Sequence, residues 1–444
     1  MESWALATIA FLVLSFAAAS GRLERSLITP AIFFTSTGLI AGPVLGLIDL
    51  HIGGESLKIL AEATLTLVLF ADASRISLRT LKVEYAVPLR LLGIGLPLTI
   101  LAGALVGIAV LPGLQTAEAL VLAVILACTD AALGQAVVTD PRLPSRIRQG
   151  LNVESGLNDG ICVPLFFIAI SIAEADASKM SAHAAWSLVA NQIGYGLVAG
   201  LAAGIFAAVV ERVAVRRSTV EPLWLQVVTF AAAALAAGIA LGLGGSIFIA
   251  AFAGGLAFGA LRHETGGEVA YLVDQSSQLL NAATFILFGA VILSPALHDI
   301  TARVALYVVL SLTVVRMVPV ALAMLGSGAR RPTLAFLGWS GPRGLASIVF
   351  AVILTHEAHL PGEHDILVAV ALTVAFSVYA HGITAQPLTD RYVRWYHAHP
   401  KTELPAMESR PAPDHRLRAP LAAAVSRASA QIPHLGDDTE NRVL

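Results

Sequence analysis

The stretch NVESGLNDG runs from Asn152 to Gly160 and leads at once into ICVPLFFIAISIA, residues 161–173, an apolar run suited to the interior of a membrane. It holds two carboxylates, Glu154 and Asp159, with Ser155 and Asn158 between them. An unneutralised charge at such a depth costs roughly 2.5–3.5 kcal/mol on insertion scales. Acids are kept there only where they have a partner or a task, so their surroundings decide what kind of fold this is.

The surroundings are apolar throughout. Hydrophobic residues make up 57% of the 444, charged residues 13%, and the mean hydropathy is +0.78. Segments of about 20 apolar residues recur almost end to end, which predicts an all-α polytopic membrane protein embedded in a lipid bilayer. The net charge of -2 and the confinement of charge runs to short loops exclude nucleic acid as a partner. The two cysteines, Cys128 and Cys162, fall inside apolar segments, so neither a disulfide framework nor a metal cluster is indicated, and no cofactor is implied. The first segment, WALATIAFLVLSFAAAS, has no basic residue before it and Arg22 and Arg25 after it, the reverse of a cleavable signal peptide, so it reads as a retained helix.

Hydrophobic windows give about thirteen spans, near residues 4–20, 28–49, 57–73, 85–110, 118–138, 150–172, 184–210, 222–241, 245–260, 274–294, 303–326, 333–355 and 366–386. Basic residues test the count. Alternate loops carry Arg22 and Arg25; Arg75, Arg79 and Lys82; Arg142, Arg146 and Arg148; Arg212, Arg216 and Arg217; Arg262; Arg330 and Arg331; and Arg391, Arg394 and Lys401. The intervening loops hold only Lys58, Lys179 and Arg303. By the positive-inside rule the N-terminus lies outside and the C-terminus in the cytoplasm, with the plasma (inner) membrane as the expected location. From about His397 the chain turns polar, as in KTELPAMESRPAPDHRLRAP, which predicts a flexible cytoplasmic tail with one short helix around LAAAVSRASAQI.

Polar residues inside the spans carry the function. In ACTDAALGQAVVTDP, Thr129 and Asp130 sit deep in the fifth span, and Asp is a poor helix former and a good N-cap, so a broken helix is expected there. The twelfth span opens FLGWSGPRGLASIVFAVIL, where Gly338, Gly341, Pro342 and Gly344 surround Arg343 and predict a second break. The two broken spans run in opposite directions, the pattern of an inverted-repeat transporter with a site at the midplane. Arg343 either offsets the helix ends meeting at the break or snorkels to the cytoplasmic surface.

In the sixth span Ser155 and Asp159 share one helical face, and Glu154 and Asn158 share a face about 100° away. Arg316, in SLTVVRMVPVALAM near the middle of the eleventh span, is the expected ion-pair partner of Glu154. Asp159 is then left for work. Away from water a bare carboxylate is disfavoured, so a proton and a small hard cation compete for it, the cation helped by Ser155, Thr129 and freed carbonyl groups. Asp72, in LVLFADASRIS, lines an access path or forms an interfacial pair with Arg75. The loop HEAHLPGEHD (His356, His359, His364, Glu357, Glu363) misses the zinc-protease spacing by one residue.

At these residues the chain resembles the monovalent cation/proton antiporter-1 family, which includes NhaP-type bacterial exchangers and the mammalian sodium/proton exchangers. The matching pieces are TD at Thr129 and Asp130, ESGLND from Glu154 to Asp159, Arg316, and GPRG from Gly341 to Gly344. The resemblance runs from about residue 5 to 390 and implies a thirteen-helix antiporter fold, homodimeric, with two inverted units and discontinuous crossing helices. It implies a transmembrane domain over 1–390, its core unit near 85–172 and 303–386 and its dimerisation scaffold near 1–73 and 184–294, followed by a tail over 391–444. It further implies Asp159 as the shared cation and proton carboxylate, Ser155 and Thr129 as cation ligands, Asp130 and Asn158 as supports of the crossing, and Glu154 with Arg316 as a structural pair. Asn158 stands where electrogenic relatives have a second aspartate, so one carboxylate implies electroneutral exchange of sodium, lithium or potassium for a proton. The family commonly reads TDPV where this chain reads TDAALG, which bears on where the fifth helix unwinds. A carrier of small organic anions, held by Arg316 and Arg343, is the competing reading; an enzyme is not expected.

Overall fold

A computed structural model describes residues 3–23, 26–48, 53–76, 81, 84–130, 132–178, 182–262, 271–398 and 406–409. The expected tail helix around LAAAVSRASAQI, like Arg25, Arg79, Lys82 and Lys179, lies outside the described residues.

Among the described residues the helices group into thirteen segments in the expected order, followed by one short helix. They are α1 (Ser3–Leu23), α2 (Pro30–Leu39, continued by a π-helical turn Ile40–Val44), α3 (Glu55–Arg75), α4 (Ala86–Val110) and α5 in two pieces, α5a (Thr116–Ile125) and α5b (Gln135–Val138). There follow α6 (Ser145–Ser178), α7 (Ala182–Arg216), α8 (Pro222–Leu243), α9 (Ile247–Leu261) and α10 (Tyr271–Leu287, continued through Phe288–Leu293). Last come α11 (Ala302–Ala323), the two pieces α12a (Arg331–Trp339) and α12b (Leu345–Glu357), α13 (Glu363–Ala398) and a short α14 (Ala406–Ser409). Among the described residues, eight of these helices are long and apolar enough to cross a bilayer by themselves. Phe11, Phe206, Leu241 and Phe376 point outward, more than half exposed. On a protein surrounded by water such residues would be a liability, whereas on a multi-pass membrane protein they face lipid.

Three helices run well past the apolar windows. α6 begins at Ser145, α7 continues to Arg216 and α13 reaches Ala398, twelve residues beyond the expected end of the last span. Hydropathy marks the part of a helix immersed in lipid, while backbone hydrogen bonding continues into water where exposed charged residues such as Arg391 and Arg394 are at home.

With no hydrophobic drive between helices in lipid, close packing depends on small residues. α7 carries Gly196, Gly200 and Gly204 along one stripe against α9. A Cβ on Gly200 would lie 2.3 Å from the Ala250 carbonyl oxygen, and one on Gly204 2.2 Å from that of Gly254. α9 in turn lays Gly255 and Gly259 against the α3 backbone at Phe70 and Ser74. α8 hands over to α9 through Gly244, whose φ of +74° suits a residue without a side chain. On the other side α4, α5a and α6 pack in sequence, with α11 and α13 against them. α3 touches both assemblies. At one end Lys58 Nζ of α3 lies 3.2 Å from Glu357 Oε1 of α12b.

Candidate functional site

α5 and α12 cross at their breaks. α5a ends at Ile125, and nine residues pass before α5b starts at Gln135. α12a ends at Trp339 and α12b starts at Leu345. The first break contains no proline, and the partners of its freed backbone groups explain how it stays open. The Ile125 carbonyl accepts from Ser347 Oγ at 2.8 Å. Arg343 Nη1 donates to the carbonyl oxygens of Ala127 (3.0 Å) and Cys128 (3.1 Å), and Asn158 Nδ2 also donates to Ala127 O at 3.2 Å. The Thr129 carbonyl accepts from Ser155 Oγ at 3.0 Å. Asp130 donates its backbone N–H to Pro342 O at 2.8 Å. The unwound segment is therefore held by partners on α6 and α12, and no imino residue is needed to open it.

The two breaks serve each other. The carbonyl end of α5a, negative by the helix dipole, meets the Arg343 guanidinium, and the N–H end of α12b meets the Asp130 carboxylate, whose Oδ2 accepts from Leu345 N at 2.8 Å. Asp130 Oδ1 also accepts from Ala132 N (2.7 Å) and Leu133 N (3.2 Å), turning the chain toward α5b. Arg343 has no exposed surface, which decides against snorkelling: its charge is used at the crossing. Gly344 leaves room for Asp130, since a Cβ there would sit 2.1 Å from Asp130 Oδ2, and Gly341 leaves room for Arg316, whose Nε would be 2.5 Å away.

Glu154 and Arg316 meet as the sequence predicts, Oε1 to Nη2 at 2.7 Å, with side chains 2% and 3% exposed. Asn158 is fully buried and spans three partners: besides Ala127 O it donates to Thr129 Oγ1 at 3.2 Å and accepts from Cys162 Sγ at 3.1 Å. The Thr129 hydroxyl is thus engaged by Asn158, and it is the Thr129 carbonyl that stands beside Ser155.

Asp159 faces a cavity. Its walls are Asp159 of α6, Asp130 and Gln135 of α5, Leu345 of α12b, Asp72 and Arg75 of α3, and Asp274, Ser277, Gln278 and Asn281 of α10, around roughly 40 Å³ of space open to water-sized molecules. Asp72 pairs with Arg75 at 2.9 Å, and both side chains line the cavity that holds Asp159. Arg75 also bridges to Asp274. A second cavity borders Asp130 and Ser155, lined also by Asn152, Trp339 and His381. Neither Arg316 nor Arg343 lines either cavity. Two turns along α6 from Asp159, Phe166 stacks on Phe350 of α12b with ring centroids 4.6 Å apart and planes 7° apart, both fully buried.

Sequence reasoning missed the α10 wall. Asp274 to Gln278 form a continuous polar run at the start of α10, with Asn281 one turn further, and that run entering an apolar span was the available signal. The expected loop HEAHLPGEHD is mostly helix ends: Glu357 closes α12b and pairs with Lys58, and His364 in the first turn of α13 has its Nε2 3.3 Å from Asp299. Among the described residues no group of three or more His, Cys, Asp or Glu converges on a metal position.

A bundle with two opposed broken helices, an internal ion pair and a water-reachable carboxylate defines the class of secondary ion transporters. Residues 8–391 match the family described as sodium/hydrogen exchanger, transmembrane, and the chain belongs to it. The fold is that of the sodium proton antiporter MjNhaP1 from Methanocaldococcus jannaschii at pH 8, with a TM-score of 0.71 over 88% of this chain and 98% of that one at 20% identity. A Na(+)/H(+) antiporter of Saccharomyces cerevisiae is 28% identical over 349 residues, covering 72% of this chain and 34% of that protein. A probable Na(+)/H(+) antiporter of Schizosaccharomyces pombe is 27% identical over 199 residues, 43% of this chain and 26% of that protein. The chain thus spans about a third or less of the length of these two relatives.

Proposed function

We propose that this protein is a secondary active antiporter that exchanges a monovalent cation, sodium first, for a proton, with Asp159 as the carboxylate both ions share. The observation that carries the reading is the division of charge along one helix: Glu154 is locked to Arg316, whereas Asp159, five residues on, faces a cavity that water can enter. Membership of the exchanger family supports the same class of activity.

In this mechanism the cation leaves part of its water shell for Asp159, Ser155 Oγ and the Thr129 carbonyl, hard oxygen donors suited to an alkali cation. Asp130, Asn158 and Arg343 position these groups by holding the unwound segment. The unit of α4 to α6 with α11 to α13 then moves against a scaffold of α1 to α3 with α7 to α10, which in a homodimer stays fixed. Movement is allowed only when Asp159 carries a cation or a proton, because a bare carboxylate crosses the apolar barrier at high cost. That rule couples the two fluxes. One carboxylate with Asn158 beside it gives one ion for one proton, an electroneutral exchange. Arg75 lines the cavity, and it lies on the side that the distribution of basic residues would put in the cytoplasm of an inner membrane. The organic-anion reading loses ground on geometry: Arg316 is bound to Glu154 and Arg343 to backbone carbonyls.

The test is a proteoliposome loaded with a pH-sensitive dye under an imposed acid-inside gradient, with sodium, lithium or potassium added outside. Cation-driven proton efflux, unaltered by a voltage clamp and abolished in Asp159→Ala, is expected. Full exchange in Asp159→Ala would remove Asp159 from the mechanism.

A further inference from the structure

The α10 wall of the cavity has no part in the exchange cycle described above. Asp274, Ser277, Gln278 and Asn281 fall at successive positions of one helical face and line the same water-reachable space as Asp159. Ser277 is 8% exposed, and among the described residues neither its Oγ nor Asn281 Oδ1 has a hydrogen-bond partner. Buried polar oxygens in native proteins are nearly always satisfied by protein, water or an ion. Two such oxygens, one turn apart and beside a carboxylate, are a ligand set in search of a cation.

The local charge fits a monovalent one. Arg75 bonds Asp72 at 2.9 Å and bridges to Asp274, so one guanidinium is shared between these two carboxylates. A divalent ion would call for both carboxylates and would have to displace Arg75. A partly hydrated alkali cation needs only Asp274 and the neutral oxygens of Ser277 and Asn281.

We infer that Asp274, Ser277 and Asn281 form a second alkali-cation subsite on α10, a waiting station from which the ion crosses the cavity to Asp159. The inference rests on the antiport reading of Asp159. The station belongs to the scaffold side and Asp159 to the moving unit, so an ion held on α10 is presented afresh each time the cavity opens on this side. Arg75 competes with the ion for Asp274 and keeps the station weak, which lets the cation leave for Asp159.

The experiment measures sodium dependence of exchange in proteoliposomes and equilibrium binding of radioactive sodium to the purified full chain. The Ser277→Ala, Asn281→Ala double variant is expected to raise KM for sodium about fivefold while the rate at saturating sodium falls less than twofold, the split expected for lost ground-state contacts. Asn281→Asp, which restores the oxygen and adds charge, is expected to lower KM below that of the unaltered protein, and it keeps the question open to refutation if the double variant does not fold. In an Asp159→Asn background, weak saturable sodium binding is expected to persist and to vanish when Ser277 and Asn281 are both alanine. An unchanged KM in Asn281→Asp and in the double variant, or no sodium bound by the Asp159→Asn protein, would overturn the subsite while exchange by the unaltered protein keeps the antiport reading intact. Absence of sodium-driven proton flux in the unaltered protein would instead overturn that reading, and the subsite with it.

Discussion

The crossing of α5 and α12 and the cavity beside it are built from the same residue types and treat charge in opposite ways. At the crossing, Arg343, Asp130, Glu154 and Arg316 each lie on protein partners, and the carbonyls of Ile125, Ala127, Cys128 and Thr129 accept hydrogen bonds. At the cavity, Asp159, Asp274, Ser277 and Asn281 border space that water reaches. Charge in the first region is structural, because burial without a partner would unfold the protein. In the second region it is available for exchange with solvent.

The sharpest way to break this contrast is Glu154→Gln, which leaves Arg316 buried with no counter-charge. A loss of about 3–5 kcal/mol is expected, read as a collapse of the melting temperature in detergent, with most of it regained in the Glu154→Gln, Arg316→Gln double variant. A single variant as stable as the unaltered protein would mean the pair is not structural. Gly344→Ala comes next. Its Cβ would sit 2.1 Å from Asp130 Oδ2, and prying the two breaks apart is expected to cost about 1–3 kcal/mol, seen as lower thermal stability together with weaker exchange.

Phe350→Leu probes the seal beyond Asp159. Removal of the stack with Phe166 is expected to cost about 0.5–1.5 kcal/mol and to admit a cation-independent proton leak, measured as dye response in liposomes without added cation. The smallest effect is expected outside the membrane, at Asp140. Hydrogen bonding from Arg142 holds its carboxyl below the usual carboxylate range. A lowered value gives stability that is present above the unfolded carboxylate range and is lost as pH falls through the lowered one. Between pH 5 and 9 the pair therefore contributes a constant amount, and Arg142→Gln is expected to leave the shape of the pH profile of exchange unchanged.

Much of this was legible in the sequence because it follows from local rules. An apolar window marks a lipid-immersed helix wherever it occurs, and alternation of Arg and Lys between loops tests the count of spans. Thr129–Asp130 and Gly341 to Gly344 announce breaks because their residue types resist continued helix. The Glu154 pairing with Arg316 could be inferred since each is too costly to bury alone. The α10 wall escaped because the polar run from Asp274 to Gln278 reads as the ordinary water-facing start of a span, and only the common face of Asp274, Ser277, Gln278 and Asn281 on the Asp159 cavity gives them a shared role.

The sequence by itself determined the number and order of the membrane helices, where two of them break, and that the intramembrane charges must be compensated, since the cost of burying a charge depends only on residue type and depth. The tertiary structure decided which group compensates which. Arg343 reaches the end of α5a and Asp130 the start of α12b across more than 200 residues of chain. Asp159 alone cannot reveal that it shares a cavity with α3 and α10. Those pairings depend on how helices distant in sequence lie against one another, and no local pattern encodes that.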